Sequence, residues 1–172
     1  MQLISQMGQI WASAGLPLWT KPYEIIATGP NCGLIEAITD SMSIHAVKEK
    51  VGPTATLNDY FVKQFGDVKS DKYKMARDNF CNSLAAYSLV TYILQVKDRH
   101  NGNIMIDIEG HISHIDFGFL LSNAPGKGFT MESAPFKLTQ EWIDVLGGEQ
   151  SKKFDDFRKR MAKGFSALQE NA

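Results

Sequence analysis

Hydrophobic positions recur at helical spacing in the middle of the chain. Within 71–96, the residues Phe80, Leu84, Tyr87 and Thr91 follow one another at steps of four, three and four, the spacing of one face of an α-helix. The second half of this segment is apolar nearly all round. The pattern therefore predicts a long helix that is buried at the centre of the fold.

Five shorter stretches also predict helices, because residues that start and end helices bound them. They are Gln2–Ser13, Ser43–Lys50, Leu57–Gly66, Thr139–Gly148 and Ser151–Leu168. Ser43 and Thr139 are the expected N-caps of the second and the fourth stretch. The last stretch has an apolar face and a basic face. The basic face predicts either a solvated surface or a surface that meets an anionic membrane.

Two stretches rich in β-forming residues surround turn residues and predict hairpins. The first, 23–38, has the turn sequence PNC between its two halves. The second, 103–117, predicts a loop, a strand, a turn at Glu109–Gly110 and a second strand. The segment Ser122–Ser133 contains three glycine or proline residues and predicts a loop. Helices combined with short antiparallel strands predict an α+β fold.

The composition is that of one globular domain. The chain has 172 residues, of which 44% are hydrophobic and 22% charged, and its net charge is −1. This balance gives no argument for a nucleic-acid partner. The longest nearly apolar run, 83–96, has 14 residues and is too short to span a bilayer. With no secretory signal after Met1 and only Cys32 and Cys81, we expect a soluble cytoplasmic domain with peripheral membrane contact.

Three oxygen-bearing side chains near the second hairpin have the spacing of a phosphoryl-transfer site. Asn103 lies five residues after Asp98, and Asp116 lies thirteen residues after Asn103. The turn at Glu109–Gly110 is expected to fold the second strand back and bring Asn103 and Asp116 to one end of the hairpin. Their amide and carboxylate oxygens suit Mg²⁺ on nucleotide phosphates, while the loop aspartate orients or accepts the proton of the nucleophile. The same spacing separates the catalytic loop of protein kinases from their Asp-Phe-Gly motif.

The order inside this loop differs from that of protein kinases. They read His-Arg-Asp, whereas this chain reads Asp98-Arg99-His100. A histidine two residues after the aspartate can act as a general base or contact the γ-phosphate. His114 is expected to be a strand residue that is hydrogen-bonded behind the site.

These motifs resemble those of the phosphatidylinositol 3-/4-kinase family, and most closely those of type III phosphatidylinositol 4-kinases of the beta class. DRHNGN at 98–103 and HIDFGF at 114–119 carry the likeness, and LPLW, SMSIHAVK, APFKLT and DVLGG support it at separate points. The likeness covers residues 1–165. It implies a partial catalytic domain with a protein-kinase-like fold, in which 1–38 is a remnant of the N-lobe with the hinge and 39–172 is a mostly helical C-lobe.

The resemblance implies chemical roles for four residues. His100 is the candidate base for the inositol hydroxyl, and Asp98 supports it as the second catalytic residue. Asn103 and Asp116 match the metal ligands of the family.

The resemblance also implies where the two substrates bind. The backbone of the hinge, Glu36 to Ile38, would hydrogen-bond the adenine edge between apolar walls formed by Met105 and Ile115. The activation loop, 117–137, would receive the lipid headgroup. Its expected substrate residues are Phe117, Gly118, Lys127 and Lys137.

The activity implied by the resemblance is transfer of the ATP γ-phosphoryl group to the 4-hydroxyl of phosphatidylinositol, with Mg²⁺ or alternatively Mn²⁺. Between Asp116 and Thr139 the sequence has two cations, Lys127 and Lys137. A multiply phosphorylated headgroup needs clustered Lys or Arg, so plain phosphatidylinositol is favoured. Recruitment to the Golgi membrane by adaptor proteins is implied by the resemblance alone.

Two alternatives stay open. One is a phosphatidylinositol 3-kinase, because the ring position is implied by the resemblance only. The other is a truncated, non-catalytic chain that binds a membrane or a partner. The family pattern has a phosphate-covering loop and an ATP-binding lysine before the first helix, and this sequence has neither; Lys21 cannot be assigned that role. We therefore expect low activity from the isolated chain.

Overall fold

The architecture is α+β, as predicted. The computed structural model describes residues 1–52, 54–121 and 134–171, so the predicted loop Ser122–Ser133 lies outside the described residues. The helices, in chain order, are α1 Gln2–Ser13, α2 Ile44–Val51, α3 Leu57–Phe65, α4 Asp71–Ile93, α5 Gln140–Val145 and α6 Lys152–Glu170. The strands are β1 Ile25–Gly29, β2 Cys32–Ile35, β3 Ser41–Ser43, β4 Ile104–Asp107 and β5 Ile112–His114. A single 3-10 turn, Asn101–Asn103, precedes β4.

Helix α4 is the buried centre of the fold, which confirms the prediction from its periodicity. Phe80, Leu84 and Tyr87 are almost completely buried on it, and it packs against α3, α6 and β5. Two buried hydroxyls bond within the helix: Ser83 donates to the carbonyl of Asn79 at 2.8 Å and Thr91 to that of Tyr87 at 2.7 Å. Neither α4 nor any other helix in the described ranges is both long and apolar enough to cross a bilayer.

Helix α4 ends at Ile93, three residues before the predicted end at Val96. The cause is Gln95, which adopts a left-handed φ of 48°. The N–H of Val96 then donates to the carbonyl of Thr91 at 3.0 Å, the closing bond of a Schellman motif. Glycine usually occupies such a left-handed position, so a glutamine there does not signal the end of a helix.

The predicted caps of the shorter helices are present in different degrees. The hydroxyl of Ser43 accepts the N–H of Ala46 at 3.1 Å, so the predicted N-cap of α2 is confirmed. Thr139 occupies the N-cap position of α5, but its side chain makes no capping hydrogen bond. Helix α5 is held by packing, since Trp142 meets Phe80 edge to face with ring centroids 6.3 Å apart.

The strands form two separate antiparallel sheets within the described residues. One is the β1–β2 hairpin, and the other has the order β3-β4-β5. Strand β3 was not predicted, because three residues are too few to show strand alternation. Met42 of β3 pairs with Ile106 of β4. This pairing holds the chain that follows the first hairpin against the strand that follows the 98–103 loop.

Helices α1 and α6 join the two ends of the described chain. The indole N–H of Trp11 donates to the carbonyl of Gly164 at 2.9 Å. A Cβ on Gly164 would lie 2.4 Å from Leu18 and 2.7 Å from Leu89. A larger residue at position 164 would therefore require these leucine side chains to move.

Candidate active site

The second predicted hairpin is present and sets the frame of the site. Ile104 of β4 pairs with His114 of β5. Beyond this pair, the N–H of Ile115 donates to the carbonyl of Asn103 at 3.0 Å. The hairpin thus brings Asn103 beside the residue that precedes Asp116, which is the arrangement predicted from the spacing.

The turn of this hairpin is fixed by one carboxylate and one glycine. Asp107 Oδ1 accepts the N–H groups of Glu109 and His111, each at 2.9 Å. Gly110 has a φ of 91°, and a Cβ there would lie 2.8 Å from the carbonyl oxygen of Ala76 in α4. The turn is therefore held against the central helix, and the hairpin cannot move independently of the core.

The 98–103 loop seats His100 against its own backbone. The Nδ1 atom of His100 accepts the N–H of Gly102 at 3.0 Å, and a Cβ on Gly102 would lie only 2.9 Å from the imidazole. Since Nδ1 is an acceptor, the neutral ring carries its hydrogen on Nε2. This Nε2 lies 3.9 Å from a carboxylate oxygen of Asp98. Asp98 and His100 thus form a half-exposed pair at the surface of the loop.

Two side-chain oxygens near the base of the loop suit a divalent cation. The amide nitrogen of Asn103 donates to the carbonyl of Asp98 at 3.0 Å, which commits the nitrogen and leaves the amide oxygen as the metal-binding atom. Asp116 Oδ1 accepts the N–H of Gly118 at 3.1 Å. Asp98 and Asp116 have φ values of 59° and 56°, a strained region in which functional residues are concentrated. An amide and a carboxylate oxygen on adjoining segments fit a hard cation such as Mg²⁺.

Arg99 is a site residue to which the sequence reasoning gave no role. It is 7% exposed, and its guanidinium donates to the carbonyls of Lys97 and Ile115, each at 2.8 Å. It also donates to the carbonyl of Asp116 and lies over the ring of Phe117. The buried cation thus ties the loop to the backbone on both sides of the Ile115–Asp116 peptide. The position of Arg99 between Asp98 and His100 was the one sign in the sequence that it belongs to the site. Its hydrogen-bond partners are backbone carbonyls, which cannot be identified from sequence.

An apolar cleft of about 610 Å³ opens beside these groups. It brings together the four residues predicted to line a nucleotide site, which are Glu36, Ile38, Met105 and Ile115. The same cleft is lined by Asp116 and Phe117 from the chain after β5 and by Ile25 and Ile35 from the first hairpin. Its size falls in the range of small-molecule sites, which is about 300–1,000 Å³.

The hinge segment is partly committed to hydrogen bonds of its own. Glu36 donates its N–H to the carbonyl of Glu24 at 3.0 Å, and its carboxylate accepts the N–H of Glu24 at 2.9 Å. No bond among the described residues engages the carbonyl of Glu36 or the N–H of Ile38. Lys21 lies before the hairpin and pairs with Asp40 at 2.8 Å, a hydrogen bond that lowers the pKa of that carboxyl. Its ammonium is therefore bonded to a residue that lies two positions after the hinge.

Tyr23 is a second residue that the sequence reasoning missed. It lines the cleft together with Asp116, and its hydroxyl lies near the backbone of that residue. Burial raises the pKa of this phenol. Tyr23 thus connects the chain before the first hairpin with the proposed metal-binding aspartate.

His114 lies in β5 and behind the site, as expected. It stacks on Tyr87 of α4 with ring centroids 5.0 Å apart and planes 6° apart. The expected hydrogen bond is missing at Nδ1, which has no partner in the described part of the chain. Burial lowers the pKa of His114 to about 3, and the nearby charges of Arg99 and Lys137 act in the same direction. The ring is therefore a neutral packing group.

The residues predicted to meet the lipid are only partly within the described chain. Phe117 lines the cleft, and Gly118 donates to Asp116. The ammonium of Lys137 donates to Asn101 Oδ1 at 2.7 Å, so this lysine contacts the 98–103 loop. Lys127 lies outside the described residues.

Comparisons with known proteins show which family the chain resembles over its whole length. The family model described as phosphatidylinositol 3- and 4-kinase matches residues 1–172. A phosphatidylinositol 4-kinase of Dictyostelium discoideum is 52% identical over 95% of this chain and 14% of its own length. Phosphatidylinositol 4-kinase PIK1 of Saccharomyces cerevisiae is 48% identical over 99% of this chain and 17% of its own length. Phosphatidylinositol 4-kinase beta of Xenopus tropicalis is 42% identical over 99% of this chain and 21% of its own length. The chain therefore spans about a fifth or less of these relatives.

Proposed function

This chain belongs to the phosphatidylinositol 3- and 4-kinase family, whose fold is protein-kinase-like, and we propose that it carries the active site of a phosphatidylinositol 4-kinase. One observation supports the proposal most. Asp116 lines the apolar cleft, and it directly follows Ile115, whose N–H is bonded to the carbonyl of Asn103. A nucleotide whose base fills the cleft would direct its phosphates toward these two residues. The relatives named above are called phosphatidylinositol 4-kinases, and their activity is inferred for this chain.

The cleft is proposed to take the adenine of ATP. Met105 and Ile115 supply one apolar wall, while Ile25 and Ile35 of the first hairpin supply the other. At the hinge, the carbonyl of Glu36 and the N–H of Ile38 would bond the adenine edge. The N–H of Glu36 takes no part, because Glu24 already accepts it.

The divalent ion of the kinase is proposed to be Mg²⁺, with Mn²⁺ as an alternative. Asn103 and Asp116 would hold it through hard oxygen atoms, with phosphates and water completing the shell. Such an ion supplies charge neutralisation to the transferring phosphoryl group. The residues of this chain set the position of the site, since Arg99 fixes the backbone of Asp116 and Asp98 fixes the amide of Asn103.

The Asp98–His100 pair is proposed to take the proton of the attacking inositol hydroxyl. The bond from Gly102 to Nδ1 occupies the lone pair of that nitrogen and selects the tautomer with hydrogen on Nε2, which lies 3.9 Å from a carboxylate oxygen of Asp98, too far for a hydrogen bond. The carboxylate of Asp98 is then the proposed proton acceptor, and His100 lies beside it. This assignment differs from the one implied by the resemblance, in which His100 is the base.

The acceptor is proposed to be the 4-hydroxyl of unphosphorylated phosphatidylinositol. The names of the relatives support the 4-position. The two lysines between Asp116 and Thr139 support a headgroup without further phosphates, because several phosphates would need a cationic cluster.

The substrate requires contact with a membrane surface, and we propose that this contact is peripheral. On α6, Arg158 and Lys163 are exposed and suit an anionic lipid surface. Lys159 of the same face bonds Asp155 at 2.6 Å, which reduces the charge of the face. Adaptor-dependent recruitment and a Golgi location are further proposals that the resemblance supports.

The decisive experiment replaces Asp116 with Asn in the native gene product. We expect lipid kinase activity to fall by at least roughly 10²–10³, because the site loses the carboxylate proposed to hold the cation that neutralises the charge of the transferring phosphoryl group. Asp144→Asn is the matched control, since Asp144 is an exposed carboxylate on α5 and should retain full activity. Radiolabelled ATP and phosphatidylinositol vesicles give the rate, and chromatography of the deacylated product gives the ring position.

Each alternative has its own signature in this assay. A product labelled at the 3-position would make the protein a phosphatidylinositol 3-kinase. Wild-type protein that binds vesicles but transfers no phosphate would support the hypothesis of a non-catalytic, membrane-binding chain. The mass of the endogenous protein, measured with an antibody on a denaturing gel, shows which length of chain must be assayed.

A further inference from the structure

Lys137 connects two segments that are distant in sequence. Its ammonium lies 2.7 Å from Oδ1 of Asn101, and the two residues are 36 positions apart. The same ammonium lies over the indole of Trp142, 5.8 Å from the ring centroid. A flexible side chain is thus held between an amide oxygen and an aromatic face, two groups that attract a cation.

Asn101 lies between residues proposed for proton transfer and for metal binding, so that a displacement of Asn101 would also move them. It begins the 3-10 turn Asn101–Asn103. Immediately before Asn101, the Nδ1 atom of His100 accepts the N–H of Gly102, which immediately follows Asn101. Asn103, which follows Gly102, donates its amide to the carbonyl of Asp98. A change at Asn101 would therefore alter both the proton-accepting pair and the proposed metal ligand.

The other end of the same segment is also tied to this loop. Arg99 bonds the carbonyls of Ile115 and Asp116, where the activation loop begins. Lys137 bonds Asn101 where the activation loop ends. Each described end of the predicted activation loop is thus joined to 98–103 by one of these two cations.

We infer that Lys137 is a positioning residue, which sets the geometry of the 98–103 loop through Asn101. This inference rests on the proposed kinase function and deepens it. On this basis Lys137 affects kcat, and other residues determine the affinity for the lipid headgroup. It gives Lys137 a different role from the headgroup contact that the resemblance implied.

The test uses the native gene product and a double-mutant cycle. Lys137→Met removes the ammonium and keeps an unbranched apolar side chain, while Asn101→Ala removes the accepting oxygen. We expect each variant to lower kcat about tenfold and to change KM for phosphatidylinositol less than twofold. The double variant should be no worse than either single variant, because the two residues act through one contact. Lys137→Arg should restore at least half of kcat, since a guanidinium can also reach Asn101.

Lys63→Met is the matched control. Lys63 lies exposed on α3, so the same change of side chain there should leave both constants unaltered. Thermal unfolding of every variant should stay within a few degrees of the wild type. A lower kcat that is restored by Arg at position 137 would then separate positioning from a loss of folded protein.

Other outcomes overturn the inference. If Lys137→Met raises KM for the lipid severalfold at constant kcat, and Asn101→Ala does not, Lys137 binds the headgroup. If the two single effects multiply in the double variant, the contact does not carry them. An active wild type with an unchanged Lys137→Met variant removes this inference alone. A wild type without kinase activity removes the proposed function, and the inference with it.

Discussion

The two hairpins of this molecule contribute to the same cleft but are built in opposite ways. In β4 and β5, Ile104 and Ile112 are completely buried. In β1 and β2, the wall residues Ile25 and Ile35 are 54% and 69% exposed, and they lie opposite each other on the ladder. The β4–β5 hairpin thus attaches the residues proposed for phosphoryl transfer to the core. The apolar wall that β1 and β2 are proposed to supply for adenine is exposed to solvent. The cleft has one rigid side and one side that can move.

The difference follows from what lies behind each hairpin. The β4–β5 turn touches α4 at Ala76, and β5 stacks on α4 through His114 and Tyr87. The β1–β2 hairpin is closed by its own ladder and by the two bonds between Glu24 and Glu36. Segments with few buried contacts open locally at low free-energy cost. We therefore expect the first hairpin to adapt to the nucleotide while the second keeps its geometry.

The largest expected contrast is in stability. Ile106→Ala in β4 should lower the free energy of unfolding by about 2–5 kcal/mol, because it leaves a cavity in the core. Ile26→Ala in β1 should change it by no more than about 0.5 kcal/mol, since that side chain is already exposed. Denaturant unfolding of the two variants measures both values. Equal losses would mean that the first hairpin is as firmly packed as the second.

A smaller effect should appear as a pH dependence that belongs to the second hairpin. The pKa of His114 is about 3 in the folded chain against an ordinary value of 6.5. The unfolded chain therefore binds a proton that the native chain does not bind between pH 6.5 and 3. The contribution of His114 to stability is complete above pH 6.5, and it falls by about 1.4 kcal/mol per pH unit as the pH drops through this window.

His114→Phe isolates that contribution, since it keeps a ring on Tyr87 and removes the titrating group. Unfolding measured from pH 7 to pH 4.5 should be less pH-dependent in this variant than in the wild type. His45→Gln is the control, because the side chain of His45 is 67% exposed on α2. A variant at position 114 that retains the full slope would show that other titratable groups, and not His114, set the pH response.

The smallest expected effect concerns the movable side of the cleft. Ile35→Thr removes apolar surface from the wall proposed for adenine. Loss of about 40 Å² of apolar contact corresponds to about 1 kcal/mol, or roughly a fivefold rise in KM for ATP. The value of kcat should stay the same, because the groups that act on the phosphate lie on the other hairpin. Initial rates at varied ATP measure both constants, and a fall in kcat would show that the two hairpins are mechanically coupled.

The sequence predicted those parts of the molecule that depend on local pattern. The central helix followed from its periodicity, and the meeting of Asn103 with the segment before Asp116 followed from one hairpin with a recognisable turn. The missed features depend on distant partners. Strand β3 forms only because β4 is beside it, and the roles of Arg99 and Tyr23 depend on backbone atoms of Asp116, which have no signature in sequence.

The bond between Trp11 and Gly164 has a consequence for how the protein is made. Its partners are 153 residues apart, and a ribosome that adds about 5–20 residues per second needs roughly 8–30 s to synthesise the chain between them. During that time α1 has emerged with an indole that is completely buried in the finished fold. Helix α1 therefore cannot reach its final packing until α6 has been synthesised. Until α6 leaves the exit tunnel, the indole of Trp11 on the nascent chain is exposed to chaperones and to aggregation.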